Sequence, residues 1–128
     1  MKSVLILDDN PQNNSEYIDP VKKCFDVDVA MRIVSAKRML RHKVYDFIVI
    51  DVMMSTQGLE SDDEMTTGFV FYRDVLKDMN LSAKIVFWSR LDKESFDEFW
   101  SVAPKNSTFL HKAEESEHLR DHLLKLDV

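Results

Sequence analysis

The stretch "YDFIVIDVMM", residues 45–54, decides the fold because it carries an apolar run directly into a single aspartate. Its segment 46–50, "DFIVI", is short and rich in β-branched residues, which predicts a β-strand. Successive apolar residues need cover on both faces, as is typical of a central strand in a parallel sheet. Asp51 ends this strand, where an unpaired carboxylate is costly, so we expect it to have partners.

Four further runs resemble this one, and helical patterns separate them. The runs are "SVLIL" 3–7, "VDVAM" 27–31, "KIVFW" 84–88 and "TFLH" 108–111. Helices are predicted after Pro11, near Ser35, near Thr67, near Asp92, and over "AEESEHLRDHLLKL" 113–126, where Glu114 and Glu115 suit the positive end of a helix dipole. Five strands alternating with five helices predict a doubly wound α/β domain with a parallel sheet and right-handed crossovers.

Length and charge narrow the function classes. The chain has 128 residues, which suits one domain, and 23 acidic against 17 basic residues give a net charge of −6. No basic run suited to a phosphate backbone and no apolar stretch long enough for a membrane span occurs in the sequence. Cys24 is the sole cysteine, which excludes an internal disulfide. We expect one cytoplasmic domain, residues 1–128, that binds neither nucleic acid nor membrane.

Polar residues stand at the predicted strand ends. Asp8 and Asp9 follow the first strand, Asp51 ends the third, Ser89 the fourth and Lys112 the fifth. The carboxyl ends of parallel strands meet at one edge, where ligands bind. Three crowded carboxylates favour a hard cation such as Mg²⁺, while a lysine and a hydroxyl can hold phosphoryl oxygens. This pattern predicts a magnesium site and a nucleophilic Asp51.

Simpler interpretations exist for several of these residues. An aspartate pair after a strand is a common helix N-cap, and Asp9 or Asn10 before Pro11 also fits that role. His118 and His122 lie one turn apart, a spacing that suits either a metal or a packed helix face. Apolar core positions are predicted for Met31, Met39 and Met79.

An aromatic stripe lies on and before the fourth helix. It consists of Trp88, Phe96, Phe99 and Trp100. The stripe is interpreted as part of the core, or in part as a surface that binds a partner.

Four segments together resemble the receiver domain of two-component response regulators. "LILDDN" 5–10 resembles the family's acidic pair, "DFIVIDVMM" 46–54 its phospho-accepting aspartate, "IVFWS" 85–89 its Ser/Thr and "FLHK" 109–112 its lysine. The resemblance spans essentially the whole chain. It implies the flavodoxin-like (βα)5 fold with strand order 2-1-3-4-5, the order found in chemotaxis receivers.

The resemblance also implies a phosphorylation site. Asp51 is expected to accept a phosphoryl group from a histidine kinase or a histidine phosphotransfer protein. Asp9, Asp51 and the backbone carbonyl of Met53 are expected to ligate Mg²⁺, with Asp8 acting through bound water.

By the same resemblance, a switch follows phosphorylation. Lys112 is expected to pair with the phosphoryl group, Ser89 to move towards it, and Phe109 to repack as the switching aromatic. Phosphorylation would alter the surface of the fourth helix, fifth strand and fifth helix, which binds a downstream protein. The domain would be a signalling switch that catalyses only its own Mg²⁺-dependent phosphorylation and dephosphorylation, or a member of a phosphorelay. Because the sequence ends with the fifth helix, we expect a single-domain response regulator with no output domain.

One segment departs from the family pattern. An acidic insertion at about 55–66 follows the third strand and carries Glu60, Asp62, Asp63 and Glu64. It is interpreted either as a solvated loop or as a lid that selects partners. The alternative function is a receiver-like adaptor module that works without phosphorylation.

Overall fold

The computed structural model describes residues 1–51, 76, 79, 82–89, 106–112 and 115–127. Within these ranges the strands are β1 (Ser3–Leu7), β2 (Asp26–Ala30), β3 (Phe47–Asp51), β4 (Lys84–Ser89) and β5 (Ser107–His111). The helices are α1 (Ser15–Cys24), which follows a 3-10 turn at Pro11–Asn14, then α2 (Ile33–His42) and α3 (His118–Leu126). The helices predicted near Thr67 and near Asp92, with the aromatic residues Phe96, Phe99 and Trp100, and the acidic insertion at 55–66 lie outside the described residues.

All five strands pair in parallel, in the order β2-β1-β3-β4-β5. This confirms the flavodoxin-like order that the resemblance to receiver domains implies. The arrangement brings the ends of β1, β3, β4 and β5 to one edge of the sheet, called here the carboxyl edge. The opposite edge, where the strands begin, is called the amino edge.

Side chains of the central strands alternate between two apolar layers. One layer contains Leu5, Ile48 and Phe87 and packs against α2. The other contains Ile6, Val49 and Trp88 and packs against α1 and α3. Because both faces are covered, strands that are apolar at successive positions lose contact with water on both sides, as the sequence pattern predicts.

The edge strand β2 shows where the sequence pattern misleads. The strand covers Asp26–Ala30 instead of 27–31, and Met31 lies beyond it with 53% of its surface exposed. The prediction that Met31 fills the core is therefore wrong. Met39 and Met79 do pack against the α2 layer, so the prediction is confirmed for both. An edge strand has one neighbouring strand, so the residue that follows it lacks the cover that a central strand receives.

Helix α3 begins later than its sequence suggests. The carbonyl of Glu115 accepts a hydrogen bond from the backbone N–H of His118 at 3.2 Å, which closes a three-residue turn before the helix. The helix then runs towards the amino edge, where the Lys84 ammonium contacts the carbonyl of Leu126. No helix within the described ranges is long and apolar enough to cross a membrane.

Candidate functional site

Three carboxylates meet at the carboxyl edge. Asp8 follows β1 and is fully buried, Asp51 ends β3 with 6% exposure, and Asp9 is half-buried. Each offers one carboxylate oxygen, and these three oxygens lie within 4.8 Å of one another. The convergence predicted from separate strand ends is therefore present in the folded chain.

Hydrogen bonds hold Asp8 in place. Its Oδ1 accepts the backbone N–H of Asn10 at 2.9 Å, and its Oδ2 accepts Nδ2 of Asn14, a buried residue, at 2.7 Å. The 3-10 turn and α1, both within residues 1–51, begin without a side-chain cap from Asn10 or Asn14. The polar groups of Asn10 and Asn14 thus bind Asp8 of the carboxylate cluster and do not cap the helices with their side chains.

Lys112 brings a positive charge to the cluster. Its Nζ lies 3.2 Å from Oδ2 of Asp51, and both side chains are less than one tenth exposed, at 7% and 8%. The backbone N–H of Lys112 donates to the carbonyl of Ser89 at 2.8 Å, which ties the end of β5 to the end of β4. The strand pairing therefore sets the place from which this lysine reaches Asp51.

An aromatic group also contacts the lysine. Nζ of Lys112 is 4.4 Å from the ring centroid of Trp88, a residue that is fully buried and pairs in register with Asp51. Nε1 of Trp88 donates to Nε2 of His118 at 3.0 Å. The ring of Tyr17 meets both in edge-to-face geometry, with centroids 5.7 Å from Trp88 and 5.0 Å from His118. We call Trp88, His118 and Tyr17 the aromatic cluster.

The remaining predicted site residues are placed as follows. Ser89 ends β4 and is fully buried. Phe109 lies in β5 opposite Phe87 and packs, partly buried, against the α2 layer. Met53 lies outside the described residues.

Three contributors to this site carry no clear signal in the sequence. Asn14 has no motif of its own, although it stands six residues after Asp8. Trp88 and His118 are 30 residues apart in sequence, and their hydrogen bond depends on how α3 packs. The spacing of His118 suits a metal or packing, and the structure shows packing.

The donor set suits Mg²⁺. All three groups are carboxylates, the hard oxygen ligands that this ion prefers. Octahedral bonds of about 2.1 Å place ligand oxygens at most about 4.2 Å apart, a span close to that of the cluster. Both oxygens of Asp8 already accept hydrogen bonds, which fits a contact made through water. The cluster can therefore hold such an ion.

Comparisons with known proteins give the fold. No protein-family model matches the sequence, and no curated protein matches it. Among solved structures, CheY4 of Vibrio cholerae, a chemotaxis response regulator, has a TM-score of 0.76 at 19% identity and covers 98% of each chain. The response regulator TrrA of Thermotoga maritima, solved in complex with Mg²⁺-BeF, has a TM-score of 0.70 at 20% identity and covers 98% of this chain and 99% of its own.

A second structure of TrrA was solved in complex with the histidine kinase ThkA. It has a TM-score of 0.65 at 20% identity and covers 98% of each chain. These similarities extend over nearly the whole chain and agree with the observed strand order. The protein thus has the fold of response-regulator receiver domains.

Proposed function

We propose that this protein is a response regulator whose receiver domain accepts a phosphoryl group on Asp51. The observation that carries the proposal is the position of Asp51. It ends a central strand, shares a 4.8 Å cluster with Asp8 and Asp9, and pairs with Lys112 at 3.2 Å. A buried carboxylate with these surroundings can act as a nucleophile whose product dianion meets a cation already in place.

The transfer needs little from the protein beyond position and charge. An oxygen of the Asp51 carboxylate forms a bond to phosphorus while the bond from phosphorus to the donor histidine nitrogen breaks. Lys112 stays beside Asp51 and pairs with a phosphoryl oxygen. Asp9, Asp51 and the carbonyl of Met53 would hold Mg²⁺, with Asp8 acting through water, and the ion neutralises phosphoryl charge when bound. Hydrolysis of the acyl phosphate returns the free carboxylate.

The proposed partners follow from this chemistry. The donor is a phosphohistidine on a histidine kinase or a phosphotransfer protein. The TrrA complexes with Mg²⁺-BeF and with ThkA support both the metal and the kinase. The output is binding to a downstream protein after Ser89 and Phe109 respond to the dianion, or transfer of the phosphoryl group onward. The domain acts as a signalling switch, with catalysis confined to its own modification.

Phosphorylation by small donors tests this proposal without knowledge of the kinase. The protein is incubated with Mg²⁺ and either acetyl phosphate or phosphoramidate, and its intact mass is measured. Wild-type protein is expected to gain one phosphoryl group that hydroxylamine removes, and Asp51→Asn is expected to gain none. Asp28→Asn is the matched control, because it removes a carboxylate from the amino edge.

Two results would contradict the proposal. One is equal labelling of Asp51→Asn and wild type, which would place the acceptor elsewhere. The other is a folded wild-type protein that takes up no phosphoryl group from either donor and shows no response to Mg²⁺ with beryllofluoride. That second result would favour the adaptor module that works without phosphorylation.

A further inference from the structure

The ammonium of Lys112 contacts an aromatic ring as well as Asp51, and a hydrogen bond to His118 holds this ring. We propose that Trp88, fixed by His118, is a positioning residue for Lys112, and that this pair couples the phosphorylation site to the start of α3. The inference rests on the proposed function for the role of Lys112. The placement of the ammonium itself can be tested without phosphorylation.

Two contacts define where the ammonium lies. Nζ of Lys112 is 3.2 Å from an Asp51 oxygen and 4.4 Å from the centroid of the Trp88 ring. A lysine side chain has a flexible four-carbon stem, so a single salt bridge at its end does not fix the conformation of the side chain. Tryptophan gives the strongest cation–π contact of the aromatic residues, and this contact is desolvated because Trp88 is fully buried. The ring therefore restricts the lysine to the conformation that reaches Asp51.

The hydrogen bonds of His118 fix the ring. Because the indole N–H is a donor and never an acceptor, Nε2 of His118 must accept it. The neutral imidazole then carries its proton on Nδ1, which donates to the carbonyl of Glu115 at 2.9 Å. The same carbonyl accepts the backbone N–H of His118, so the ring spans the turn that starts α3. A shift of this turn would therefore move the indole.

A role in packing alone would not require this geometry. Any apolar side chain of similar volume could fill the space between β4, α1 and α3. The indole N–H meets an acceptor and the indole face meets an ammonium. Tyr17 brackets both rings from α1, so the aromatic cluster connects two helices to one lysine. When the ammonium pairs with a phosphoryl oxygen on Asp51, its contact with the ring changes, and the aromatic cluster carries this change to both helices.

NMR of the Lys112 side chain tests the placement. The ε-methylene protons of Lys112, assigned from the signals missing in Lys112→Arg, are expected to show an upfield ring-current shift in unphosphorylated protein. Trp88→Leu should abolish the shift, and Trp88→Phe should reduce it. His118→Leu should also reduce it, whereas His118→Gln should keep it because an amide oxygen can accept the indole N–H. His122→Leu is the matched control one turn along α3.

Kinetics tests the role of the pair. The rate of phosphorylation by acetyl phosphate at saturation is expected to fall roughly tenfold in Trp88→Leu and less in His118→Leu, with half-saturation unchanged, because the ring positions the cation and does not bind the donor. His118→Gln and His122→Leu should keep the wild-type rate.

The results separate this inference from the proposed function. Equal chemical shifts of the Lys112 ε-methylene protons in wild type, Trp88→Leu and Trp88→Phe would show that the ammonium does not lie against the Trp88 ring. Equal rates in His118→Leu and His118→Gln, or equal losses in His118→Leu and His122→Leu, would overturn the positioning role. If Asp51 takes up no phosphoryl group while the chemical shifts of the Lys112 ε-methylene protons change in the variants as expected, the proposed function fails. The position of the ammonium against the Trp88 ring is then still supported.

Discussion

The two edges of the sheet handle their acidic residues in opposite ways. At the carboxyl edge, oxygens of Asp8, Asp9 and Asp51 lie within 4.8 Å of one another. At the amino edge, Asp26 and Asp28 are bridged by Lys43, whose Nζ lies 2.9 and 3.0 Å from them. The first arrangement crowds like charges together in a buried place, and the second alternates charges at the surface.

The difference separates a structural group of charges from one that favours a ligand. At the amino edge, the hydroxyl of Tyr45 donates to Asp28 at 2.7 Å, and this bond, followed by the one from Lys43, lowers the pKa of Asp28. Burial, then the bond to Asp28, raises the pKa of Tyr45 to about 12. The pKa of Lys43 is raised by Asp26 and Asp28. Mutual stabilisation of this kind needs no further ion.

Magnesium should act on one edge of the sheet. At about 100 times its dissociation constant, Mg²⁺ is expected to raise the free energy of unfolding by about 2.7 kcal/mol, because it binds the folded cluster. Denaturant unfolding with and without Mg²⁺, at constant ionic strength, measures this. Asp26→Asn should respond like wild type and Asp51→Asn should respond less. Equal responses in all three would show that the ion does not bind at the carboxyl edge.

Removing an acidic residue from the amino edge should destabilise the fold. Asp28→Ala is expected to lower the free energy of unfolding by about 2 kcal/mol, because it leaves the hydroxyl of the buried Tyr45 without this acceptor. Asp26→Ala should cost at most about 0.5 kcal/mol, because the Asp26 side chain is 58% exposed and pairs with Lys43 on the surface. Spectrophotometric titration should also show a lower pKa for Tyr45 in Asp28→Ala. Equal stability losses in the two variants would contradict this account.

Removing an acidic residue from the carboxyl edge should stabilise the fold in the absence of Mg²⁺. In the absence of Mg²⁺, Asp9→Asn is expected to raise the free energy of unfolding by about 1 kcal/mol, because it relieves repulsion from two nearby carboxylates. The same variant should lose most of the stabilisation by Mg²⁺. Thermal unfolding in a chelator and in Mg²⁺ measures both effects. A loss of stability in the chelator would show that repulsion does not dominate this cluster.

Helix α3 joins the two edges, and its second histidine gives the smallest expected effect. Burial, then Lys125 and His118, lowers the pKa of His122 from its ordinary 6.5, while Thr108 Oγ1 lies 2.8 Å from its Nε2. Because the pKa of His122 is lower in the folded protein than in the unfolded chain, its contribution to the free energy of unfolding is complete above pH 6.5. This contribution is lost as the pH falls through the pKa of His122 in the folded protein. We expect a loss of about 0.5 kcal/mol on acidification, since His122 is only half-buried.

His122→Gln is the control for this pH dependence. In this variant, the difference in the free energy of unfolding between about pH 7 and about pH 5 should be smaller by about 0.5 kcal/mol. Denaturant unfolding at the two pH values measures this, and the response to Mg²⁺ should not change. An unchanged pH profile would show that His122 does not carry the effect.

The strands and the carboxylate cluster could be predicted from the sequence because both depend on short-range patterns and on one rule of topology. Runs such as 46–50 are mostly apolar, and burial on both faces follows. Once the strands are parallel, Asp8, Asp51 and Lys112 must share an edge, however far apart they lie in sequence.

Other features depend on packing that no local pattern records. The exposure of Met31 follows from the place of β2 at the edge of the sheet. The start of α3 at His118, several residues after Glu114, follows from a turn closed by the Glu115 carbonyl. The bond between Trp88 and His118 joins a strand to a helix, so its partners emerge only when both elements are in place.

Chemical mapping of the phosphoryl group tests the central claim most directly. Protein treated with acetyl phosphate and Mg²⁺ is reduced with borohydride, which converts an aspartyl phosphate to homoserine, and is then digested and sequenced by tandem mass spectrometry. We predict that the modified position is Asp51, that Asp26 and Asp28 stay unmodified, and that omission of Mg²⁺ abolishes the product. Reduction at the amino edge, or at Asp51 to the same extent without Mg²⁺, would contradict the account.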